Sequence, residues 1–158
     1  METASSRRTE IESALNPLFD ALPFDRAMPG LVPVTPVGGE IHELAEVAVG
    51  QIGDPALAAG IWLYVDDLDR SHQVSQNLPD ATGAFWHGIM HRREGDFANA
   101  KYWFRQAGRH PAMEQIADYD PFRFVDEVAA KHRENPADLV EVQRTEWKSL
   151  FGWCLERK

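Results

Sequence analysis

A chain of 158 residues, 44% hydrophobic and 26% charged, is long enough to bury a core and reads as one folded helical domain, not a disordered or fibrous segment. A formal net charge of −9 argues against nucleic-acid binding, which needs a net basic face. The longest apolar run, Ala56 to Val65, falls short of the roughly 20 residues of a membrane span; no secretory leader is visible, and the single Cys154 cannot close an internal disulfide. A cytoplasmic protein with no membrane partner is the expectation.

Residues 1–8 read as a loose tail, followed by a helix from about Glu10 to Leu22 with Thr9 as its N-cap. Residues 23–39 hold Pro23, Pro29, Pro33, Pro36 and the pair Gly38–Gly39, a density that excludes helix and central strand. This stretch is an extended connector, and Leu31, Val32, Val34 and Val37 are expected to pack it onto the body. Ile41, Leu44, Ala45, Ala48 and Ile52 then make the apolar stripe of an amphipathic helix that Gly53 ends. Asp54–Pro55 opens the next, apolar nearly all round to about Val65 and therefore central.

Later helix starts follow the same logic. Asp80 caps a helix to Glu94 that Gly95 stops, and Asp96 caps another to Ala107 with Gly108 behind it. Asp120–Pro121 and Asn135–Pro136 repeat the pairing of N-cap and proline. The final helix carries Trp147, Leu150, Phe151, Trp153 and Cys154, so the cysteine reads as packing. With no alternating strand pattern, the fold class is all-α, eight or nine helices in antiparallel hairpins.

Two segments superpose at an offset of 29 residues: Ala59 to Ser71 on Gly88 to Ala100, with Asp66–Asp67 over Gly95–Asp96 and Leu68 over Phe97. Each describes a helical hairpin with small residues where its helices cross, and Ala100 is expected at the close contact near Gly88. Gly88, Gly95–Asp96–Phe97, Ala100, Phe104, Ala107 and Pro111 together resemble a tetratricopeptide repeat over residues 83–111, departing from that pattern at Ala84, His87 and His91. The resemblance implies a scaffold that binds a peptide or ligand on a concave face, not a catalytic mechanism.

Charge is unevenly spread. Glu40 to Asp69 holds seven acids and no Lys or Arg, whereas His87 to His110 carries a local charge of +3. From this basic stretch, His87, His91, Arg92, Arg93, Lys101, Tyr102 and Arg105 are candidate contacts to a protein partner or a small anionic ligand. A helical-hairpin binding module working through residues 87–105, with no cofactor, is the leading expectation.

The same segment supports an alternative. His87, His91 and Glu94 fall at i, i+4 and i+7 on one helix line, and two imidazoles four apart can ligate one metal ion such as zinc. Gly88 stands where a zinc-protease helix needs its glutamate, which excludes that chemistry. His72, Asp69 or Glu94 could supply a third ligand. With His72, the set His72, His87 and His91 is similar to small metal-binding bundles whose ion is held by three histidines from two helices, and would serve a metal-dependent enzyme or a metal-binding bundle. The structural alternative has His87 and His91 at the core edge, hydrogen-bonded to acids such as Asp66 or Asp69.

Overall fold

The computed structural model describes residues 3–157, of which the regular elements are eight α-helices and one 3-10 turn, with no strand among the described residues. Helix α1, Ala4–Ala21, starts earlier than its polar sequence suggests. Thr3 caps it by accepting from the Ser6 N–H, and Thr9 lies inside, bonded to the Ser5 carbonyl. Residues 3–8 are thus no loose tail; Met1 and Glu2 lie outside the described residues. The reason is tertiary as well as local: Arg7 donates to the Ile52 carbonyl at 2.6 Å, satisfying the last turn of α2, Gly39–Ile52.

Gly53, at φ 65°, stops α2 in the left-handed conformation that glycine adopts without penalty. Helix α3, Pro55–Tyr64, is buried from Leu57 onward, as its all-round apolar character requires. Helix α4 spans Leu68–Ser75, α5 Ala81–Arg93 and α6 Phe97–Ala107; the 3-10 turn Pro111–Gln115, α7 Pro121–Lys131 and α8 Ala137–Leu155 complete the chain.

The 29-residue offset is visible in the backbone. Asp66 and Gly95 both take positive φ, at 60° and 84°, in the turns that join α3 to α4 and α5 to α6. Asp67 and Asp96 follow as N-caps, accepting from Arg70 and Asn99, and their own N–H groups donate back to Trp62 and His91. Two successive helical hairpins therefore share one turn design. The glycine at the second crossing accommodates Phe104, whose ring a Cβ on Gly88 would meet at 3.0 Å.

The aromatic core sits where α3, α5 and α8 meet. Trp147 stacks on Phe151 at 4.5 Å and donates from its indole to the Gly60 carbonyl at 2.7 Å. Trp86, Tyr64, Phe85 and Cys154 are buried around them. The connector packs down as expected at Leu31, but Val34 is 96% exposed and takes no part. The backbone from Ala27 to Leu31 is satisfied by side chains from later in the chain. Gln143 donates to the Met28 and Gly30 carbonyls, and Arg144 to Ala27. Asn135 accepts from the Leu31 N–H and donates to the Pro29 carbonyl. Asn135 is consequently not the cap of α8: it sits at φ 49°, and Pro136 occupies the cap position without a side-chain bond.

Candidate metal centre

Helix α5 is buried from Thr82 to Arg93, so its polar side chains must find partners inside the protein. Arg92 reaches Glu146 of α8 through two parallel bonds of 2.9 and 2.8 Å, both groups being fully buried. The Tyr119 hydroxyl donates to the same carboxylate, and burial together with that negative charge holds its pKa well above the usual range. Arg93 bonds Asp66 at 2.6 Å and the Leu63 carbonyl at 2.8 Å. Burial pulls its pKa down, while Asp66 works against that shift. Both arginines are therefore committed to the core and leave the expected anion surface. Their position in a basic stretch suggested a solvent-facing surface, but α5 is buried on every side from Thr82 to Arg93.

His87 and His91, one turn apart on α5, face α4, and His72 meets them there. Ring centroids lie 4.8 Å apart for His72 and His87, 5.4 Å for His72 and His91, and 4.7 Å for His87 and His91. One ring nitrogen from each falls within 4.8 Å of the others. The meeting depends on how α4 is seated, and Ser71 anchors it by donating from its buried hydroxyl to the Ala59 carbonyl of α3 at 2.9 Å.

Each imidazole has a distinct setting. His87 is 3% exposed and lies between the Trp103 indole, 3.8 Å away and nearly parallel, and the stacked ring of His91. Its Nδ1 is buried with no hydrogen-bond partner. Burial first, then the proximity of His91 and His72, pushes its pKa down to about 4. At neutral pH it is an uncharged imidazole, the form that ligates metals. His91, also buried, has Nδ1 at 2.5 Å from Glu94, which directs Nε2 away from that carboxylate. His72 is half-buried and forms the outer member of the set.

The sequence-level alternative paired the histidines with Asp66 or Asp69. Asp66 instead binds Arg93, Asp69 is exposed, and the acid on His91 is Glu94, from the same helix line. Glu94 also clusters with His91 and Asp96, although Asp96 caps α6. Lys101 is taken by Asp126 at 2.6 Å, while Tyr102 and Arg105 are exposed. Arg105 lines a surface cleft of about 760 Å³, together with Arg109, Met113, Tyr119 and Phe122. That cleft contains none of the three histidines. Trp103 as a wall of the histidine site had no sequence signal beyond its position near His87. Glu146 and Tyr119, far along the chain, had none.

Comparison with known proteins finds no family model, no curated protein and no solved structure that matches this chain. Among the described residues, no helix is long and apolar enough to cross a membrane.

Proposed function

We propose that this chain is a metal-binding helical domain that holds a divalent transition-metal ion, zinc being the natural candidate, with His72, His87 and His91. The observation that carries this reading is the convergence of one ring nitrogen each from His72, His87 and His91, all within 4.8 Å of one another, at a buried His87. Three imidazoles held this close, with His87 uncharged at neutral pH, present the nitrogen donors that a zinc ion takes. The second support is the Glu94 carboxylate on His91 Nδ1, an arrangement that fixes ring orientation and raises ligand basicity in metal sites. Imidazole nitrogen ligands suit zinc, copper and nickel more than magnesium or calcium, which prefer oxygen.

The test is elemental analysis of full-length protein purified from metal-supplemented medium and then desalted. The expected result is near-stoichiometric metal in the native chain and its loss in His87→Ala, with the far-ultraviolet helix signal kept. Equal metal content in both would reject the site.

A second reading, a module for a protein partner or small anionic ligand, draws on the cleft beside Arg105 and Arg109. On this reading the two hairpins form a tetratricopeptide-like scaffold of the cytoplasm, and Arg105→Ala abolishes capture of an anionic probe. The histidine site is preferred because three potential ligand atoms converge there, one of them on a buried, neutral imidazole.

A further inference from the structure

Among the described residues, the convergent ligand set stops at three imidazoles: no fourth histidine, cysteine or carboxylate shares the point reached by His72, His87 and His91. Glu94 lies closest to serving, but its carboxylate is bonded to His91 Nδ1 at 2.5 Å and groups with Asp96 instead. Asp69, three residues before His72 on α4, is exposed and outside the set. The site is also asymmetric in its access to water. His87 is covered on one face by Trp103 and on the other by His91, whereas His72 is half-buried at the outer edge.

Structural zinc sites close the ion with four protein ligands; catalytic ones use three and leave a position for water or substrate. Resting on the metal-site reading, we propose that the ion bound by His72, His87 and His91 keeps its fourth position, on the His72 side, for water or a small monodentate anion. Glu94 acts there as a positioning residue, holding the His91 ring while staying off the metal. A zinc-bound water releases one proton to solvent near neutral pH, and the oxygen stays on the metal as hydroxide with a lone pair available to an electrophile. The ligand class of the site is therefore water, hydroxide and small anions, not a further side chain.

The experiment uses the full chain loaded with cobalt(II), whose visible absorption reports coordination, titrated with sodium azide. The expected result is a saturable azide-dependent shift of the cobalt bands in the native chain, with cobalt retained after desalting, and the same azide response in Glu94→Gln kept in excess cobalt, where retention is weaker because the carboxylate no longer supports His91. Bound cobalt whose spectrum ignores azide would overturn the open position, as would an azide response confined to Glu94→Gln, since Glu94 would then fill it. Failure of the native chain to retain cobalt or show its bands would instead overturn the three-histidine site itself.

Discussion

The imidazole of His87 lies flat on the indole of Trp103, with ring centroids 3.8 Å apart and planes inclined by 10°. Trp103 is thus both a wall of the histidine site and an optical reporter placed against it. Copper(II), which favours imidazole ligands, should quench tryptophan emission on binding. In Trp103→Phe, which keeps an aromatic face on His87, copper should still bind, but most of the quenching should be lost. An unchanged fractional quench would place the metal elsewhere.

The Arg92–Glu146 pair lies in the core, with both side chains fully buried. Removing one partner leaves the other charged and uncompensated, which costs about 3–5 kcal/mol. Glu146→Ala is expected to lose that much in urea unfolding. Replacing both, Arg92→Met with Glu146→Leu, should lose much less, because no charge is left stranded. A loss under about 1 kcal/mol for Glu146→Ala would place the pair in contact with water.

Two helical glycines should respond to alanine with opposite signs. In α3, a Cβ on Gly60 would lie 2.9 Å from ring atoms of both Phe151 and Trp86. Overpacking of this kind costs about 1–3 kcal/mol and exceeds the helix-propensity gain of about 1 kcal/mol. Gly50 in α2 has nothing within 4 Å of its added methyl, so Gly50→Ala should stabilise by about 0.5–1 kcal/mol. Thermal melts of the two single variants check both signs at once.

His110 makes stability depend on acid. Its Nδ1 accepts from the Ala112 N–H, which leaves Nε2 to donate to the Thr82 hydroxyl. Burial pulls its pKa below the ordinary value of 6.5; Asp80 opposes the shift and Arg157 adds to it. The unfolded chain therefore takes up the proton first, so this contribution is complete above about pH 6.5 and is lost as the pH falls below it. His110→Gln should flatten the fall in melting midpoint between about pH 7 and pH 5. The same slope in both proteins would exclude His110 as its source.

Helix ends were legible because they depend on residues within a few positions of each other. Asp54, Asp80, Asp96 and Asp120 each cap the helix their sequence announces, and Gly53 and Gly95 take the left-handed turns expected of them. The same locality misled at Thr9 and Asn135, where plausible local caps were overruled by Thr3 with Arg7 on α2 and by the connector's demand for Asn135.

What the sequence alone determined, then, is the all-α class, the two hairpins at a 29-residue offset, and the placing of His87 and His91 one turn apart, all consequences of helical periodicity and capping. Only the tertiary structure decided that His72 joins them, that Trp103 covers His87, and that Arg92 and Arg93 turn inward to Glu146 and Asp66. Periodicity says which side chains share a face of a helix. Which face meets another helix, and which meets water, is set by packing between segments distant in the chain.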